Sequence, residues 1–248
     1  MGRTLRALAV VAAALLALGR VGSLHAELQP GAAGVLARMF RAYATAAAFS
    51  CEGSCDDHEE GSTLPVDHRT VTMRFVRPDR FRLAWTQRDF HGKSGTSVIY
   101  TREGRAFLRQ WGAEHAEPES SLGQAINGSA GISLGLSYLV PSLLLGEPGY
   151  LAFVSLRQLP DANSADGRPC WKLAGETDEG TRWELLVDRE NCALREALEI
   201  NVLPGASADA KGHAIRTQYR FTNIRFTDTL PDSVFADSKP AVAGARKR

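Results

Sequence analysis

The sequence predicts an α+β domain, a large antiparallel sheet covered on one face by helices. Three observations predict it. From Arg69 onward most of the chain alternates apolar and polar residues, and a period of two marks a half-buried strand. Short turns join many of these segments, which implies antiparallel neighbours. One amphipathic helix precedes them and a greasy helical stretch interrupts them, and helices in that order must cover a sheet face.

The 248-residue chain begins "MGRTLRALAVVAAALLALGRVGSLHA". Arg3 and Arg6 precede an apolar run from Ala7 to Leu18, with small-residue exits at Ser23 and Ala26. That order is the pattern of a secretory signal peptide over residues 1–26. The run is shorter than the ~20 residues of a membrane span, and an uncleaved anchor is the alternative. The expectation is an exported, periplasmic protein with one domain over 27–238. A basic tail over 239–248, "AVAGARKR" at its end, reads as solvated and frayed. The formal net charge is +1, and removing Arg3, Arg6 and Arg20 makes the mature chain slightly acidic. A nucleic-acid partner is not expected, because affinity there depends on neutralising phosphates.

In "AAGVLARMFRAYATAAAF", Val35, Leu36, Met39, Phe40 and Tyr43 recur at helical spacing among alanines, predicting a helix over about 31–48. "CEGSCDDHEEGSTLPVDH" reads as a polar loop. In "RTVTMRFVRPDRFRLAW", Val71, Met73 and Phe75, then Phe81, Leu83 and Trp85, alternate with polar residues. Proline cannot donate to a sheet ladder, so Arg77-Pro78 marks a bend or a strand end. "TSVIYTREGRAFLRQWG" reads as two strands around Glu103-Gly104. The segment "SLGQAINGSAGISLGLSYLVPSLLLGEPGY" is apolar and interrupted by Pro141, predicting short helices. Trp171 and Leu173 face Trp183, Leu185 and Val187 across a turn at Asp178 to Gly180. The phase slip between Tyr219/Phe221 and Ile224/Phe226 predicts a bulge.

Four cysteines, Cys51, Cys55, Cys170 and Cys192, are an even count in an exported chain, which points to disulfides. Three pairings are open; closeness in sequence favours Cys51–Cys55 and Cys170–Cys192.

Chemistry is harder to find. Cys51, Cys55, His58, Glu59 and His68 are zinc-ligating residue types, but their spacing is not a common finger spacing, and an exported disulfide is the favoured account. No Gly-x-Ser-x-Gly elbow is present, and no phosphate-cradling glycine loop precedes a helix. His25, His91, His115 and His213 fall in loop-like or removed segments. The acids Asp178 and Glu179 sit at a hairpin tip, where turn formation explains them. Neither catalysis, nor a metal, nor a cofactor is expected.

In order along the chain, "VRPDRFRLAW", "VIYTREGRAFLRQW", "DGRPCWKLAG", "WELLVDRENCALREALEI" and "YRFTNIRFTDTLPDSVF" resemble the LolA-like superfamily of periplasmic lipoprotein carriers and their relatives. The resemblance implies an unclosed β-barrel, a strongly curved antiparallel sheet with helices as a lid. It also implies an apolar cavity between them for acyl chains. Its lining would be Met73, Phe75, Phe81, Leu83, Trp85, Leu136, Leu139, Trp171 and Leu173. Arg77 matches the arginine of the family's Arg-Pro pair, a tether for the lid, and a guanidinium fork suits several carbonyls at once. The cysteine-bearing loop and the long "EINVLPGASADAKGHAIR" connection depart from the carrier pattern. The expected function is a periplasmic binding protein that holds a lipid or lipoprotein acyl chain. The alternative is a cell-envelope sensor or assembly partner with a self-filled cavity that binds other proteins. An exported hydrolase or zinc protein is a third reading.

Overall fold

A computed structural model describes residues 27–59, 67–88, 92–147, 149–202 and 214–235. The expected signal peptide and basic tail lie outside the described residues. The strands are β1 (Glu27–Leu28), β2 (Ala48–Glu59), β3 (Asp67–Val76), β4 (Arg80–Arg88), β5 (Ser94–Arg102), β6 (Arg105–Arg109) and β7 (Glu117–Glu119). After the helical middle come β8 (Phe153–Asn163), β9 (Pro169–Thr177), β10 (Arg182–Asp188), β11 (Leu194–Val202) and β12 (Ala214–Thr227). The helices are α1 (Pro30–Thr45), α2 (Leu122–Gly128) and α3 (Leu139–Leu145).

All twelve strands form one sheet in the order β1-β8-β9-β10-β11-β12-β2-β3-β4-β5-β6-β7. Only β1 runs parallel to its neighbour, β8. The edges β1 and β7 are not joined, so the sheet is an unclosed barrel. Helices cover one face of this curved sheet, as the sequence predicts, with α1 packed on α3 and β8, and α2 lying over β5 to β7.

Helix α1 starts at Pro30, whose missing N–H costs nothing in the first turn. Its buried stripe is Ala32, Val35, Met39 and Tyr43, each at most 2 % exposed, a spacing of three and four. Each large side chain of that stripe contributes roughly 1.5–3 kcal/mol by burial. The Tyr43 hydroxyl accepts the backbone N–H of Leu194 at 3.1 Å, pinning the helix to β11. Burial holds the Tyr43 phenol well above its ordinary range, so it stays neutral.

The hairpin at Glu103-Gly104 forms as expected. Both residues have positive φ, 54° and 74°, which the tight turn between twisted strands demands. The slip in β12 is a bulge between Thr222 and Arg225. Pro141 falls in the first turn of α3, where it is tolerated.

Two expectations are corrected. Residues 51–59 are not a loop but part of the central strand β2, paired with β12 and β3. Phe49, Cys51 and Cys55 point to the same buried face. The favoured disulfides are absent: all four cysteines are free thiols. Cys51 and Cys55 lie four residues apart on one extended strand, roughly 13 Å at the usual rise, whereas a disulfide needs Cα atoms within about 7 Å. Cys170 is buried, and its thiol donates to the Arg168 carbonyl at 3.4 Å. Cys192 sits in the β10–β11 turn, where its N–H donates to the Asp188 carbonyl.

Candidate functional site

Strands β3 and β4 lay Met73, Phe75, Phe81, Leu83 and Trp85 on the face that meets the helices. Leu136 and Leu139 come down from the helical middle, and Leu173 faces them from β9. All eight are 0–1 % exposed and belong to one core. Trp171, expected beside them, is only half-buried. The guanidinium of Arg38 on α1 covers it at 4.5 Å, with that of Arg189 at 5.8 Å.

Arg77 lies where β3 turns into β4, with a cis bond to Pro78. Much of the residue is exposed, but its guanidinium reaches three carbonyls. Nε donates to Ala46 at 2.9 Å, and one terminal nitrogen donates to Tyr43 at 3.3 Å and Leu144 at 2.6 Å. The first two belong to the end of α1 and the third to the last turn of α3. A cation there also complements the negative ends of both helices. Desolvation lowers the Arg77 pKa.

A second set of bonds, not foreseen from the sequence, pins the other end of the helical middle. Arg69, held by Asp67 at 2.7 Å, donates to the Ile132 carbonyl. The Tyr219 hydroxyl oxygen lies 2.9 Å from the Leu134 carbonyl oxygen and 2.9 Å from Glu199 Oε2. One hydroxyl hydrogen cannot serve two acceptors. Protonation of Glu199 would remove the conflict, since its carboxyl could then donate to Tyr219 while Tyr219 donates to Leu134. Burial raises the Glu199 pKa and so favours that form, outweighing hydrogen bonds from Asn201 and Tyr219. Gly135, at φ +75°, lets the chain pass Tyr219, since a Cβ there would stand 2.7 Å from its hydroxyl.

Beside this second pin opens a cleft of about 540 Å³ between the helical segment and β9, β10 and β11. Tyr138, Tyr150, Trp183 and Glu199 border it, with Asp178 and Glu179 at the hairpin tip. Tyr138 and Tyr150 rings lie 4.5 Å apart, and Tyr150, Trp183 and Tyr219 stack in series at 6.3 and 6.1 Å. None of the residues expected to line a cavity borders this cleft. Asp178 and Glu179 serve a turn and also face the cleft, a placement that only the pairing of β9 with β10 reveals.

The zinc-ligating types do not converge. Among the described residues no group of three or more His, Cys, Asp and Glu could hold a metal. Burial pushes the Cys51 thiol up to about 12 and raises Cys55 further, keeping both protonated. His68 is paired with Asp56 at 2.5 Å.

No family model and no curated protein matches the chain. Among solved structures it is similar to MucB in complex with MucA(peri), at 16% identity and TM-score 0.37. That likeness covers 84% of this chain and 60% of the MucB chain. It is also similar to a LolA superfamily protein from Nitrosomonas europaea, at 10% identity and TM-score 0.31, over 83% of this chain and 97% of that one. A DUF1329 family protein from Desulfovibrio piger is similar at 13% identity and TM-score 0.29, over 84% and 97% of the two chains.

Proposed function

We propose that this chain is a non-catalytic binding protein of the periplasm, whose sheet–helix interior is filled by its own side chains and whose surface meets a cell-envelope protein. The single observation that carries the reading is the burial of Met73, Phe75, Phe81, Leu83, Trp85, Leu136, Leu139 and Leu173, each at most 1 % exposed. Placement in the periplasm is supported by the signal-like pattern of residues 1–26. No helix among the described residues is long and apolar enough to cross a membrane.

A second reading, carriage of an acyl chain, is favoured by one observation. Arg77 bridges α1 and α3 by hydrogen bonds from one partly exposed side chain, a contact that can be released. Each methylene buried after release would contribute about 0.8 kcal/mol.

The test is native mass spectrometry and solvent extraction of protein purified from a periplasmic fraction without detergent, with fluorescent fatty-acid titrations of wild type and Arg77→Ala. Lipid-free protein that refuses fatty acid in both forms, and crosslinks to an envelope protein, supports the partner reading. A reproducible co-purified lipid, or uptake on loss of Arg77, overturns it in favour of acyl carriage.

A further inference from the structure

We propose that the outward face of β3 to β6 docks an acidic segment of a protein partner. This deepens the reading above and rests on it, naming the surface and the chemistry of recognition. The core takes Phe75, Phe81, Ile99 and Leu108 from these strands, so the residues next to them point away from it. Those outward positions carry Arg74 on β3, Arg80, Arg82 and Arg88 on β4, Arg102 on β5, and Arg105 and Arg109 on β6. None of the described outward positions of these four strands carries aspartate, glutamate or lysine. The rest of the outward face differs, in a chain whose formal net charge is only +1. There Asp56 meets Arg220 at 2.9 Å and Glu184 meets Lys172 at 2.8 Å.

The strand register is a second, independent observation. Arg74 stands directly opposite Arg82, and Arg102 directly opposite Arg105. Like charges so placed destabilise a sheet, and a carboxylate laid between them relieves the repulsion. The acids that approach come from the margins: Glu52 at 3.9 Å from Arg74, Glu103 at 3.6 Å from Arg102 and Asp232 at 2.7 Å from Arg80. All three are exposed, so water screens these pairs and the face stays cationic. Beside the arginines, Tyr100 and Phe107 stack at 5.3 Å and 15°. Arginine with aromatic rings, and no lysine, is the composition of a protein interface. The guanidinium fork takes a carboxylate on two parallel bonds. A flat anionic bilayer would touch only a strip of a sheet that curves away from it, whereas an extended chain can follow the curve.

The test is fluorescence anisotropy at low ionic strength with a labelled synthetic peptide of alternating glutamate and tyrosine. The control is the same peptide with glutamine for glutamate, and phosphatidylglycerol vesicles are assayed beside both. The expected result is saturable binding of the acidic peptide that weakens as salt rises, and no binding of the glutamine peptide. Arg105→Glu, on the exposed flank of the hairpin, is expected to weaken binding about tenfold. By giving Arg102 an opposite charge it should melt no lower than wild type, and Arg102→Glu is expected to do the same on both counts. Arg157→Glu makes an equal charge change at an exposed position of β8 and is expected to leave binding nearly unchanged. Failure of the acidic peptide to bind in the millimolar range overturns the proposal, as does equal binding of the glutamine peptide or equal weakening by Arg157→Glu. Adsorption to the vesicles without peptide binding overturns it in favour of a membrane surface. An envelope protein that crosslinks equally to wild type and Arg105→Glu overturns it too, and leaves the reading above standing.

Discussion

The guanidinium of Arg77 donates to the carbonyl of Leu144 at 2.6 Å, across 67 positions of sequence, while the same group holds the end of α1. One side chain at a strand turn therefore fixes two helices to each other and to the sheet.

Replacing Arg77 by alanine is expected to leave the Leu144, Tyr43 and Ala46 carbonyls without this donor. The expected cost is about 1–3 kcal/mol, since hydrogen bonds to charged groups are the stronger kind but this one is partly exposed. Lysine should not rescue it, because a point charge lacks the fork. Hydrogen exchange over residues 139–146 should quicken in both variants. Unchanged exchange there would mean that packing alone holds α3.

Glu199 predicts a pH effect of definite sign. Its folded pKa is raised, by burial first and by Asp57 as well, against bonds from Asn201 and Tyr219. A raised carboxyl pKa means that protonation favours the fold. The contribution is fully present below the ordinary value of roughly 4.3 and is lost as pH rises through the raised value. Glu199→Gln keeps a donor for Tyr219 at every pH. Thermal melts should find it at least as stable as wild type at neutral pH, with the gap closing toward about pH 4. An equal loss of stability at both pH values would sink the protonated-Glu199 account.

Two glycines should respond in opposite directions. A Cβ at Gly53 in β2 would stand 2.5 Å from the Arg220 carbonyl oxygen and 2.9 Å from the Phe221 ring. Backbone cannot swing aside as a side-chain tip does, so Gly53→Ala is expected to cost about 1–3 kcal/mol. Gly34 lies inside α1 with nothing near a built Cβ, so Gly34→Ala should add about 0.5–1 kcal/mol. Urea melts of the two variants check both signs.

The thiols give a chemical check on β2. Cys51 and Cys55 are buried, at 1 % and 0 % exposure, and protonated. A thiol reagent should therefore leave both unmodified in the folded protein at neutral pH and reach them only on unfolding. Reductant should not shift the melting temperature. A shift would mean that a disulfide had formed, and modification of Cys51 or Cys55 in the folded protein would mean that β2 does not bury them.

Much of the architecture was legible because its signals are periodic. The alternation of Val71, Met73 and Phe75 with Thr72 and Arg74, and the turn at Glu103-Gly104, are local patterns that local physics reads. Strand β2 escaped because Glu52, Gly53, Ser54 and Asp56 are poor strand formers. Its extended form comes from β12 and β3 on either side, and Gly53 is glycine because β12 passes so close. Cys51 and Cys55 misled for the same reason: nearness in sequence is distance on a strand. Arg77 could be picked out because it precedes proline in a patterned segment. The Tyr219–Glu199–Leu134 cluster could not, since its members are joined only once β11, β12 and the helical middle have come together.

The place of β2 in the sheet also says something about how the chain must be assembled. Most strands pair with a neighbour made moments before or after. Strand β2 pairs on one side with β12, so Asp56 meets Arg220 across 164 positions of sequence. That seam closes only after nearly the whole domain has emerged, and contacts so distant in sequence slow folding. Until then one margin of β2, with Phe49 and its neighbours, has no partner and is open to wrong ones. A chain of this design gains from being kept unfolded until it is complete.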